Sequence, residues 1–183
     1  MSIARNPGTW YSILQRYKKG AWAEHAPLVA SFVWEWMTEH EDHLERLLGG
    51  GVDLLAVVPS KKPGITFESQ VLVRALRLVK PLGARLEHVL DCRDSTCYGR
   101  TKYAPEMFTA DRRSIVGKRV ILIEDTWITG ATAVSAAGAL LEAGARCVVI
   151  VPIARDFKVE FHTEDHPYTS LIAPPYDLRI WPR

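Results

Sequence analysis

Cysteine is scarce in this chain: three stand among 183 residues, at Cys92, Cys97 and Cys147. An odd number with no second close pair excludes a disulfide framework. Cys92 and Cys97 have no matching Cys or His pair nearby to complete the ligand set of a structural zinc site, so reduced thiols are expected. The histidines (His25, His40, His43, His88, His162, His166) show neither metal spacing nor an obvious nucleophile partner. Long apolar runs are missing too, which excludes a membrane span. Residues 1–10 lack the apolar core of a signal peptide, and the expected compartment is the cytoplasm. A net charge of +2 leaves no excess of one sign, and so no general pull toward nucleic acid or an anionic membrane. There are no internal repeats and no low-complexity linker.

What remains is an ordinary globular composition, 48% apolar and 24% charged, in one domain with a sizeable core. Residues 1–50 read as N-terminal helices, 51–155 as a core and 156–183 as a tail, a possible hood. Apolar residues at helical spacing predict helices over 10–19 (Trp10, Ile13, Leu14 and Tyr17 on one face), 24–48, 67–80 and 131–143. Gly20, the Gly49-Gly50-Gly51 run and Gly144 mark ends. Short apolar runs predict strands over 52–58, 85–90, 107–110, 119–123 and 146–151, with a loop over 59–64. Strands alternating with helices predict an α/β fold, a three-layer parallel sheet with helices on both faces. Ligands of such sheets bind beyond the carboxyl ends of the strands, where the loops at 59–64 and 124–132 lie.

The segment from Arg93 to Arg119 breaks the pattern. It carries seven basic residues against three acidic ones, with little apolar content. A polar insertion of that length is either a solvated connection or a functional lid.

The most informative stretch is Val120-Ile121-Leu122-Ile123-Glu124-Asp125-Thr126-Trp127-Ile128-Thr129-Gly130-Ala131-Thr132. An apolar strand ends in two adjacent carboxylates, a hydroxyl- and glycine-bearing turn follows, and an alanine-rich helix begins. Adjacent carboxylates at a buried strand end repel each other and lose solvation. The vicinal hydroxyls of a ribose relieve this by donating to them, and a magnesium ion on the far side of the ribose helps further. The turn and the positive end of the helix then suit a terminal phosphate. The plainer alternative is a capped strand–turn–helix, with Glu124-Asp125 or a threonine as the cap. Trp127 either packs or shapes the pocket. Gly117-Lys118 lacks the rest of a P-loop, and there is no dinucleotide-binding glycine fingerprint.

At Glu124-Asp125 and Thr129-Gly130-Ala131-Thr132 the sequence resembles the PRPP motif of the type I phosphoribosyltransferases: four apolar residues, two acidic ones, then a loop ending Thr-Thr-Gly-x-Thr. Thr126 stands where valine is common, and Ile128 replaces the first hydroxyl residue of the Thr-Thr pair. The chain is further similar to the ComF-like branch. Val57-Val58-Pro59-Ser60-Lys61-Lys62 resembles its pyrophosphate loop, the stretch around Ser69, Gln70 and Arg74-Ala75-Leu76 the helix after it, Tyr11 to Lys19 its early Leu-Lys-Tyr helix, and Phe108 its flexible-loop return. The zinc-ribbon start of many such chains is missing, and so is their Arg-Gly-Phe-Asn segment around Gly64 to Phe67.

The resemblance implies the type I phosphoribosyltransferase fold, with a flexible basic loop and a small hood. It implies that a small-molecule acceptor, a nucleobase or an amine, displaces pyrophosphate from PRPP with Mg²⁺. Glu124 and Asp125 would hold the ribose hydroxyls. Thr126, Trp127, Ile128, Thr129, Gly130, Ala131 and Thr132 would hold the 5′-phosphate. Ser60, Lys61 and Lys62 would take the pyrophosphate, and Arg93, Arg100 and Lys102 would close over it. No direct metal ligand is implied beyond Asp125, which is open. A homodimer is expected, with Trp34 and Trp36 serving either an interface or the core. The rivals are a PRPP- or nucleotide-sensing protein without turnover, a competence-type DNA-uptake accessory protein, and a relative of the PRPP-making synthetases, for which the chain is short.

Overall fold

A computed structural model of the chain describes residues 2–4, 9–19, 22–93 and 102–156. The tail from 157 onward, with the expected hood, lies outside the described residues, as do Cys97 and Arg100.

The elements run in the order β1 (Ser2–Ala4), α1 (Thr9–Lys19), α2 (Trp22–Glu39), α3 (Glu41–Leu48), β2 (Leu54–Val57), α4 (Val71–Leu76), α5 (Lys80–Arg85), β3 (Leu90–Cys92), a 3-10 turn at Pro105–Met107, β4 (Phe108–Ala110), α6 (Arg112–Ile115), β5 (Arg119–Trp127), α7 (Ala131–Glu142) and β6 (Cys147–Asp156). Four strands form one parallel sheet in the order β1-β6-β5-β2. β3 and β4 pair antiparallel as a separate ribbon. The chain is thus an α/β protein built on a parallel sheet.

The sheet is covered on both faces, which is why Leu54–Val57 and Val120–Ile123 are buried at every position. Leu55, Val57, Ile121 and Ile123 pack with α1 to α5, through Leu14, Tyr17, Val29, Leu44, Leu72 and Leu82. Leu54, Ala56, Val120 and Leu122 pack on the other face with α7, Ile115 and the β3–β4 ribbon. Alanines at 133, 136, 137 and 139 keep α7 slim where it meets that face.

Several boundaries differ from the sequence expectation. The helix over 24–48 is two helices, interrupted at His40, whose φ of −111° and ψ of 18° leave the helical region. The His40 ring folds back, stacking on Trp36 with its Nδ1 donating to the Trp36 carbonyl at 2.9 Å. The helix over 67–80 is likewise α4 and α5. The chain leaves the helix at 77–79, and Pro81 stands in the first turn of α5, where its missing N–H leaves no helical bond unmade. The Thr66 and Ser69 hydroxyls bond the backbone of their own turn and hold residues 66–69 out of the helix. The strand over 85–90 is a single bridge, Leu86 to Leu55, followed by Leu90 opening β3. β1 was not anticipated; three residues are too few to show a period.

The largest correction concerns β5. It does not stop at Ile123 but runs through the acidic pair to Trp127, because β6 is long enough to keep pairing it as far as Trp127 with Arg155. Thr126 and Trp127 are therefore strand residues, and the turn is only 128–130.

Candidate functional site

β2 and β5 are neighbours and parallel, so the segments leaving their carboxyl ends emerge side by side. Between them opens a cavity of about 430 Å³. Glu124, Asp125, Thr126 and Trp127 line it from β5, and Ile128, Thr129 and Gly130 from the turn. Thr132 and Ala133 line it from the first turn of α7, and Pro59, Ser60, Lys61 and Lys62 from the loop after β2. Ser69, Gln70 and Leu72 add the entrance to α4, while Tyr17 and Lys18 close it from α1.

The turn owes its shape to Gly130, whose φ of 80° is left-handed. A β-carbon there would also strike the indole of Trp127, which lies against this glycine. Gly130 occupies the N-cap position of α7 with no side-chain cap; Glu124 and Asp125 stay in β5 and do not cap the helix. The Thr129 hydroxyl accepts a long bond, 3.4 Å, from the Ala131 N–H. Thr132 and Ala133 present the start of a twelve-residue helix to the cavity, where backbone N–H groups and the helix dipole favour an anion.

Two ammonium groups meet this arrangement. Lys18 Nζ lies 2.8 Å from Asp125 Oδ2 and 3.3 Å from Thr126 Oγ1. Lys61 Nζ donates to Thr132 Oγ1 at 2.9 Å, crossing from the β2 loop to the helix start. Lys62 is exposed, and its N–H donates to Ser60 Oγ at 3.2 Å. The Glu124 carboxyl is pushed up to about 8, first by burial and then by the charge of Asp125; Lys18, Lys61 and the Thr126 N–H act in the opposite direction. Burial, with Asp125 and Glu124 adding to it, raises the Tyr17 hydroxyl far above the ordinary phenol, so it stays neutral.

Of the residues singled out from the sequence, Ser60, Lys61 and Lys62 share the cavity with positions 124–130 and 132. Ala131 begins α7 beside it without lining it. Arg93 and Lys102 do not line it. The Arg93 backbone N–H donates to the Met107 carbonyl at 2.7 Å, and its side chain donates to Thr109 Oγ1 at 2.5 Å. Residues 102–110 return along α7: the Ala104 N–H donates to Ser135 Oγ at 2.9 Å, and Ser135 Oγ donates to the Ala131 carbonyl at 2.6 Å. Trp127 both packs on the α7 side of the core and lines the cavity. Trp34 is exposed and Trp36 is partly buried in the core.

Tyr17, Lys18 and Gln70 were missed as site residues. The signal for Tyr17 was its place on an apolar helix stripe with a polar tip; nothing local marks Lys18, which is set by the packing of α1 over the end of β5.

The donors are oxygen atoms: two carboxylates with threonine hydroxyls, the chemistry that Mg²⁺ takes. Among the described residues no group of three His, Cys, Asp or Glu side chains could hold a metal. Among the described residues no helix is long and apolar enough to cross a membrane.

No protein-family model matches the chain, and no curated protein matches it. Several solved structures are similar to it in part, among them two of described function. One is described as the allosteric regulatory enzyme of purine biosynthesis, with 22% identity, a TM-score of 0.38 and 60% of this chain covered. The other is an alanine mutant from an analysis of an invariant aspartic acid in HPRTs, with 13% identity, a TM-score of 0.42 and 72% of this chain covered. The chain spans 24% of the length of the first and 77% of the second.

Proposed function

We propose that the cavity binds PRPP and that the protein transfers its phosphoribosyl group to a small acceptor, a nucleobase or an amine, releasing pyrophosphate. The observation that carries this proposal is the meeting, in one cavity, of the Glu124–Asp125 pair, the 128–130 turn with the start of α7, and the basic loop after β2.

Each group has a separate task. Asp125 and ionised Glu124 accept hydrogen bonds from the ribose 2′ and 3′ hydroxyls and fix the ring. Thr129, the N–H groups of the turn and Thr132 hold the 5′-phosphate, with the helix start adding roughly 0.3–1 kcal/mol of favourable field. Ile128 contributes only its N–H, since it has no hydroxyl. Lys61, which donates to Thr132 Oγ1, neutralises the leaving pyrophosphate together with Lys62, and Ser60 donates a hydrogen bond to it. Bond cleavage at C1 builds positive charge on the ribose ring, so positioning and electrostatics account for the acceleration. Magnesium, when bound, would supply Lewis-acid charge neutralisation for the departing group. The ComF-like character belongs to the same proposal and draws on the resemblance of Val57 to Lys62 and of Tyr11 to Lys19 to that branch.

Calorimetry with PRPP, with and without Mg²⁺, followed by pyrophosphate release over a panel of nucleobases, amines and water, tests it. Magnesium-dependent binding with release in the presence of one acceptor is expected. Binding without release by any acceptor would turn the protein into a sensor. Absence of binding removes the proposal.

A further inference from the structure

Tyr17 is 1% exposed, within the apolar stripe of α1 that also buries Leu14. Phenylalanine would fill that place as well and would bring no polar atom. Yet a hydroxyl is there, buried, with no hydrogen-bond partner among the described residues. An unmatched buried polar atom destabilises a fold, so it calls for an explanation. Three facts supply one. The Tyr17 side chain lines the cavity, together with Glu124 and Asp125. Its neighbour Lys18 ties the same turn of α1 to Asp125 at 2.8 Å. The hydroxyl stands within the field of both carboxylates without bonding either, and keeps its proton.

We propose that the Tyr17 hydroxyl is a ligand-binding group of the cavity, donating to a sugar hydroxyl that in turn donates to the acid pair. The inference rests on the sugar-phosphate reading of the site and adds a specificity residue to it. A hydroxyl is the matching chemistry, because it accepts one hydrogen bond and donates another through the same oxygen. An ammonium group or a dication could meet only the phenol oxygen and would leave its O–H without an acceptor. A carbonyl donates nothing and would leave the carboxylate unmatched. A sugar alcohol meets both demands, and a bridge of this kind would make the site distinguish ribose from a deoxyribose.

Tyr17→Phe separates this role from packing. The melting temperature is expected to hold or rise, because the variant removes an unmatched buried oxygen and keeps the ring. Affinity for ribose 5-phosphate and for PRPP, measured by calorimetry, is expected to fall about tenfold. The preference of the native protein for ribose 5-phosphate over its 2-deoxy or 3-deoxy analogue is expected to shrink in the variant for one of the two, which identifies the hydroxyl. Unchanged affinity overturns the assignment of Tyr17 and leaves the sugar-phosphate reading standing. Weaker binding with both deoxy preferences intact also overturns it, since the ring would then act through packing; Tyr17→Leu, which removes the ring, supplies the comparison for that outcome. Failure of the native protein to bind any of these sugar phosphates overturns the inference together with the proposed function.

Discussion

Lys18 Nζ and Asp125 Oδ2 lie 2.8 Å apart, joining the last turn of α1 to the acidic end of β5. Both side chains are about one-third exposed, 31% and 32%, so the pair contributes at most about 1 kcal/mol to stability. Its importance is to the site. Asp125→Asn is expected to cut PRPP turnover on the order of a hundredfold while shifting the melting temperature little. Pyrophosphate release and a thermal melt of the same preparation measure the two effects, and unchanged turnover would remove Asp125 from the site.

Glu124 makes stability depend on pH. Its folded carboxyl is raised to about 8 from the ordinary 4.5, mainly by burial and then by Asp125. The unfolded chain releases this proton near 4.5 and the folded chain keeps it until about 8. The folded state thus binds more protons in that window, and stability falls as pH rises through it, levelling off above. Glu124→Gln is expected to flatten that slope in melts across the window. Ribose binding has the opposite trend: hydroxyls donate to the carboxylate, so affinity is expected to rise as pH approaches 8.

Gly130→Ala carries two penalties: a left-handed φ of 80°, costing roughly 1–2 kcal/mol, and a β-carbon driven into the Trp127 ring. The variant is expected to lose stability and phosphate-ester affinity together. Adding Trp127→Ala removes the collision but not the φ cost, so a double-mutant cycle by chemical denaturation is expected to show favourable coupling between the two changes. Additive losses would mean that the indole does not confine this turn.

A control sits at the other end of the same strands. Asp53 accepts from the Arg119 N–H at 2.8 Å, from Nε at 2.9 Å and from Nη2 at 3.1 Å. Hydrogen bonding to Arg119 holds its carboxyl down to about 2 against an ordinary 3.8. Its contribution is complete above 3.8 and is lost as pH falls toward 2. Asp53→Asn is expected to cost about 1 kcal/mol at neutral pH after allowance for solvent screening, with sugar-phosphate affinity unchanged. A change in affinity would show that the two ends of the sheet are coupled.

The acidic pair, the glycine turn and the lysine loop were legible in the sequence because each is local: a strand end, a φ that glycine takes, a run of basic residues. The buried strands 54–57 and 120–123 were legible for the same reason, as unbroken apolar runs. The extent of β5 was not, since how far Thr126 and Trp127 continue the strand depends on the length of β6. The end of α4 at Leu76 was not legible either, because the apolar period continues through Val79 while the chain turns out of the helix at 77–79. Lys18 could not be found at all: its partner lies in a strand more than a hundred residues away, and only the packing of α1 on the sheet brings them together.

The stitching of Ala104 through Ser135 to Ala131 has a mechanical corollary. Tyr103 stands against Gly138, where a β-carbon would collide with the phenol, so the returning strap sits flush on α7 over more than one turn. The hydroxyl of Ser135 thus joins the strap to the peptide that opens the helix, next door to Thr132. Residues 103–104 and the first turn of α7 are thereby held in one continuous hydrogen-bonded run.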